Sequence, residues 1–308
     1  MGAFYKPMEL EIWSPDWQLP SIDIDCLYVL AYAQFSNIKL EVKCTNNPFK
    51  SSSSTLPVFH HYKHHLTDIN KIVEYFKSKG HDADGELSSK DKSEIIAYET
   101  MLREKLYPAI QYTLWVDDIN RMEITRPWYW KQIPFPFHFY YPGKFERKAQ
   151  ALISVIHPEV EDLKLKESYI LAEAEACISH LATRLDRTPG PYFFGPSPSS
   201  LDALVFAYLG PLLKAPLKNN AFQNHVRAQP NLARFVLCIC QNHFKKTYQE
   251  FEQKRKKQEK EQAEKQKSQD MDFPHSLRNS ILAAIFATCA MTGYAVSIGL
   301  ISVSLRNK

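Results

Sequence analysis

"LPVFHHYKHHLTDINKIVEYF" (residues 56–76) reads as two short strands, a tight turn and a helix. Leu56 to His60 and His64 to Thr67 form the arms of a hairpin that turns at Tyr62-Lys63. Asp68 then offers a side-chain acceptor to the first free backbone N–H groups of a helix. Ile69, Ile72, Val73 and Phe76 recur at helical spacing and give that helix one apolar face. The hairpin predicts that His61 faces His64 and that His60 lies beside His65. A cross-strand pair supplies two imidazoles, whereas a zinc site needs at least three protein ligands. The sequence places no third ligand near the turn, and Lys63 adds repulsion. No metal site is expected, and the four histidines are read as a solvated turn.

The same pattern extends upstream. Met8 to Trp13 reads as a strand, and "SPDWQLP" as the turn after it. Ser21 is placed to cap a helix that carries Ile24, Leu27, Tyr28, Ala31 and Phe35 on one face. "NIKLEVKC" alternates, with Ile38, Leu40, Val42 and Cys44 on one side, and predicts a second strand. Strand, helix, strand, hairpin and helix in that order predict a small mixed sheet with flanking helices.

Downstream the periodicity turns helical. Ser93 to Val116 is long and amphipathic, and further helices are expected near Lys144–Ile156, Glu159–Leu185 and Asn231–Phe244. In "FFGPSPSSLDALVFAYL", Ser199 stands three residues before Asp202, the spacing of a reciprocal cap. Between the first two helical stretches lies an aromatic, proline-broken run, "RPWYWKQIPFPFHFYYPG". Most of its ring area is expected in the core. Trp and Tyr also dominate binding energy at protein interfaces, so Trp128, Trp130, Tyr140 and Tyr141 are candidate partner-binding residues.

Net charge is only +4 over 308 residues, and no basic stripe interleaves with aromatics, so nucleic acid is not an expected partner. Six scattered cysteines suit a reducing compartment, and Cys238 and Cys240 read as small residues of an apolar helix. "MGAFYKPMELEIW" lacks the layout of a signal peptide. Residues 246–275 mix acids and bases with few large apolar side chains and read as a stalk. From Ile281 to Ser304 no charged residue occurs. As a helix this run would reach roughly 36 Å, against a hydrocarbon core of about 30 Å. With Arg278 before it and Arg306 and Lys308 after it, it is expected to be a C-terminal membrane anchor. The expected organisation is a domain over 1–80, a helical domain over 86–245, the stalk over 246–275 and the anchor over 276–308.

The order of elements resembles the glutathione-transferase fold, an α+β architecture with a thioredoxin-like N-terminal domain and an all-helical C-terminal one. Leu56-Pro57 falls where that fold has its cis proline, and "DINKIVEYF" and "FFGPSPSSLDAL" match two of its helices. The resemblance implies where glutathione would be held, and those positions do not suit it. An acidic residue and a serine grip its glutamyl end in that family; here the pair is Asp68-Ile69, and isoleucine cannot hydrogen-bond a carboxylate. The thiol-activating residue would lie near Ser14 to Ser21, where Asp16, Asp23 and Asp25 disfavour a thiolate. No C-x-x-C motif is present.

"MELEIWSPDWQLPSIDIDCLYVLAYAQF", "NPFKSSSSTLPVF" and "TRPWYWKQIPFPFHFYYPGK" resemble the metaxin family over nearly the whole chain. That resemblance implies a mitochondrial outer-membrane protein that faces the cytosol. It implies a role with other metaxins in the machinery that imports proteins and assembles outer-membrane β-barrels. The expected function is a noncatalytic binding module without cofactor or metal. The alternative is a membrane-tethered glutathione transferase with altered glutathione binding.

Overall fold

The computed structural model describes residues 6–51, 54–253 and 273–297. Residues 1–249 form one compact unit and residues 250–308 a second.

Four strands make the sheet of the first unit: β1 (Met8–Ile12), β2 (Leu40–Cys44), β3 (Val58–His61) and β4 (His64–Leu66). Their order is β2-β1-β3-β4. β1 pairs in parallel with β2, Leu10 opposite Val42, and antiparallel with β3, Leu10 opposite Phe59. The parallel pair is joined through α1 (Ile24–Phe35), since parallel neighbours need a crossover. Alternation in "MELEI" buries Met8, Leu10 and Ile12 under α1 and α2 (Ile69–Ser78). Leu56-Pro57 is a cis peptide, as the resemblance implied.

Two local readings need correction. Asp23, not Ser21, caps α1, and its carboxylate accepts from the Cys26 N–H at 3.0 Å. Ser21 lies two residues too early; its hydroxyl instead accepts a long bond from the Asp23 N–H. The alternating β2 does not bury its apolar side either: Val42 is 43% exposed and Cys44 is also open. β2 is the edge of the sheet, and a period of two says which residues share a face, not whether anything covers it.

The helical layer begins with α3 (Ser89–Met101), held at its start by a reciprocal Ser88–Asp91 cap. It continues through π-helical turns at Leu102–Leu106 and Tyr112–Val116, which flank α4 (Tyr107–Gln111). After the short α5 (Asp118–Asn120) come α6 (Arg126–Gln132), α7 (Tyr141–Val155), α8 (Leu163–Asp186) and α9 (Ser200–Lys214). α10 (Ala221–Arg227) and α11 (Pro230–His243) complete the layer. The predicted Ser199–Asp202 cap is present at the start of α9. Asp202 is fully buried; its carboxylate accepts from the N–H groups of Phe193 and Ser199 and from the Ser199 hydroxyl. α9 is the central helix and packs against α1. Gly210 of α9 faces this region: a Cβ there would stand 3.3 Å from a methyl of Leu19, in the loop before α1, and 3.7 Å from one of Leu27 in α1. Sheet and helices share one hydrophobic core.

In the second unit, α12 (Phe273–Ser297) is a continuous helix. Among the described residues no helix is long and apolar enough to cross a membrane. The expected span over Ile281–Ser304 is therefore not shown, and its residues 298–304 lie outside the described ones, as do residues 254–272 of the expected stalk.

Candidate functional site

The position where a transferase would hold its thiol is the first turn after β1. Here that turn is occupied by the chain itself. Trp13, just past β1, is 2% exposed and meets the rings of Trp128, Tyr129 and Phe145 edge-on, at 5.0 to 6.3 Å. The Trp128 indole N–H donates to Asp16 Oδ2 at 2.6 Å. Ser14 is clamped by Asn46: its N–H donates to Asn46 Oδ1 at 2.8 Å, and its hydroxyl accepts from Asn46 Nδ2 at 2.6 Å. The same Nδ2 donates to Gln132 Oε1 at 3.2 Å, and Phe49 stacks on Phe137 at 4.5 Å. α6 and the turn after it thus lie over the loops of the thioredoxin-like layer. α6 begins at Arg126 and continues from a helical turn over Arg121–Thr125, and it carries Trp128 and Gln132 to those loops.

The charged groups nearby are also engaged. Asp68 caps α2, its Oδ1 accepting from the N–H groups of Asn70 and Lys71 at 2.9 and 3.1 Å, and Ile69 packs against the core. The Asp68-Ile69 pair is a helix cap. Cys26, in the first turn of α1, is wholly buried, and burial followed by the Asp23 charge pushes its thiol well up. A thiol so placed is a packing residue, not a nucleophile.

The hairpin pairs its histidines as predicted, His61 with His64 and His60 with His65. The reading of all four as a solvated turn fails for His61, which is 6% exposed. Its Nε2 lies 3.1 Å from the Lys6 carbonyl, an obligate acceptor, so Nε2 carries the proton. Nδ1 then accepts from the Tyr75 hydroxyl at 2.7 Å. Burial holds this imidazole below its ordinary pKa. His60 and His65 meet at a tilt on the opposite face, their ring centres 4.5 Å apart, with His60 3.5 Å from a Glu11 carboxylate.

The four candidate partner-binding residues separate. Tyr141 is 2% exposed and lies against Phe145; Trp128 is partly buried and bound to Asp16. Trp130 and Tyr140 are 43% and 54% exposed. Phe135 and Phe139, which were not singled out, are the most open of the run at 79% and 63%. Trp130 meets Phe139 edge-on at 4.7 Å and Phe139 meets Phe135 at 6.3 Å, so these three exposed rings form one cluster, while Tyr140 lies against Tyr141. Asn46 and Gln132 were also missed, because an amide at a loop and one at a helix end carry no local signal of their meeting.

Comparison with known proteins follows this geometry. The family described as an outer mitochondrial membrane transport complex protein matches residues 26–146, and the glutathione S-transferase C-terminal domain matches residues 174–239. Metaxin-1 of Sus scrofa is 35% identical over 96% of this chain and 92% of its own length. The chain belongs to the metaxin family. Metaxin-3 of Xenopus laevis is 38% identical over 77% of each chain. Metaxin-1 of Homo sapiens is 35% identical over 98% of this metaxin, which spans 64% of the human protein's length. Solved structures share its fold: glutathione transferase GSTFuA3 from Phanerochaete chrysosporium, at TM-score 0.54 and 12% identity, covers 76% of this chain and 96% of its own. The beta-etherase LigF from Sphingobium, at TM-score 0.52 and 13% identity, covers 80% and 100%. At such identity the likeness speaks to fold alone.

Proposed function

We propose that this metaxin is a noncatalytic scaffold of the mitochondrial outer-membrane protein import and β-barrel assembly machinery, facing the cytosol. The metaxin relatives and the transport-complex family indicate a mitochondrial outer-membrane transport complex protein. The finer reading rests on one observation: its own Trp128 and Gln132 occupy the loops that a transferase would offer to glutathione. A fold whose reaction site is filled from within retains its surfaces, and those are what a scaffold uses. The partners proposed are other metaxins and the β-barrel assembly core. They dock on the exposed rings of Trp130, Phe135, Phe139 and Tyr140, the last of which rests against Tyr141.

The C-terminal segment is proposed as the attachment to the outer membrane. In its favour, Ile281, Leu282, Ile285, Phe286, Met291 and Tyr294 of α12 are each more than half exposed, an apolar surface of the kind an apolar environment covers. The test is recovery of partners from gently solubilised mitochondria. Trp130→Ala with Tyr140→Ala should leave folding and membrane localisation intact and reduce recovery of the assembly core, since one aromatic anchor contributes more than about 2 kcal/mol. Wild-type recovery by the folded double variant would refute this docking surface.

A further inference from the structure

The open edge of the sheet lies apart from the aromatic cluster and has chemistry of its own. β2 pairs only with β1, and among the described residues Leu40–Cys44 makes no other backbone hydrogen bond. One side of the strand therefore presents unpaired N–H and C=O groups. Proteins usually protect such an edge with a proline, a bulge or an inward-pointing lysine. "LEVKC" has none of these at its apolar face: Lys43 lies on the opposite face, where it donates to Glu9 Oε2 at 2.7 Å. Val42 and Cys44 instead line a groove of about 500 Å³, floored by Ile12, Leu30 and Phe244. Lys245 and Lys246, next along the chain to Phe244, also line it, and no carboxylate does.

We propose that this edge accepts an extended segment of a partner chain as an added strand. Each feature fixes one property of that segment. The unpaired backbone groups of β2 require an extended main chain, which supplies the matching donors and acceptors. Successive side chains of a strand point to opposite faces, so every second residue of the segment enters the groove, and those residues must be apolar. Lysines without a facing carboxylate call for an acidic side chain beside them. The occupant is thus a peptide of alternating apolar and polar residues with an acidic residue, the pattern of a strand from a sheet whose two faces differ. The inference is independent of the aromatic docking surface, since no residue is common to the two.

The experiment uses the full chain in detergent and a fluorescent peptide that alternates valine and threonine and ends in glutamate. Binding is read by polarisation. Two further peptides carry N-methyl groups on alternate residues, one for each phase of the strand. Strand addition predicts saturable binding of the parent peptide. It also predicts loss of binding in one N-methyl phase only, because only every second N–H faces β2. Val42→Lys, at an exposed position that the fold tolerates, should weaken binding by roughly tenfold, as should glutamate to lysine in the peptide. No binding by the wild-type chain, equal binding in both N-methyl phases, or undiminished binding by a folded Val42→Lys chain would each overturn the proposal.

Discussion

Trp128 shows what a single side chain decides in this molecule. Its ring packs on Trp13, and its indole N–H is the donor that ties the helical layer to Asp16. Trp128→Phe keeps most of the ring and removes the donor, and should lower stability by about 1.5–3 kcal/mol in urea denaturation, the range for a hydrogen bond to a charged group. Trp130→Phe, whose ring is open to solvent, should stay within about 0.5 kcal/mol. Equal losses at the two positions would contradict the division between a bracing and an exposed tryptophan. Asp202 gives a pH test. Burial pushes its carboxyl up to about 6, against the opposing hydrogen bonds from Ser199 and Phe193. A raised carboxyl contributes stability that is full below its ordinary value near 3.8 and is lost as pH rises through about 6. Asp202→Asn does not titrate and misplaces one acceptor. The gap in urea midpoint between wild type and variant should therefore be widest in acid and narrow toward neutral pH. A gap that widens with pH would reverse the assignment.

At the scale of elements, α9 lies close to the Leu19 loop and α1 at Gly210, where a Cβ would stand 3.3 Å from Leu19 and 3.7 Å from Leu27. Gly210→Val would drive two methyl groups toward Leu19 and Leu27, and overpacking of this kind costs about 1–3 kcal/mol. A thermal midpoint unchanged from wild type would show that the two helices part freely. Elements of this sort were largely legible in the sequence. The strand–helix–strand–hairpin–helix order, the Asp68 cap, the reciprocal Ser199–Asp202 cap and the pairing of the histidines all follow from local spacing, and local spacing is what a sequence records. What was not legible depended on neighbours distant along the chain. Val42 alternates like a buried strand residue yet lies at an edge; His61 looks like a turn residue yet lies under Tyr75. Asn46, between Ser14 and Gln132, belongs to a site that forms only once α6 has folded over the loops. The Asp68-Ile69 pair and the carboxylates near Ser14 drew attention to this region, but the sequence did not reveal that Trp128 and Gln132 reach into its loops.

Across the whole molecule, the transferase-like fold provides a frame, and side chains of the helical layer reach into the first turn after β1. The aromatic run divides its labour. Tyr129 and Tyr141 serve the core, Trp128 bonds across to the turn, and Trp130, Phe135, Phe139 and Tyr140 are exposed. The claim that the glutathione position is filled is tested most directly by calorimetric titration of the purified full chain with glutathione. The prediction is no saturable heat up to millimolar concentration, for the wild-type chain and for Trp130→Ala alike. Saturable binding of glutathione at micromolar concentration would contradict it and favour a tethered transferase.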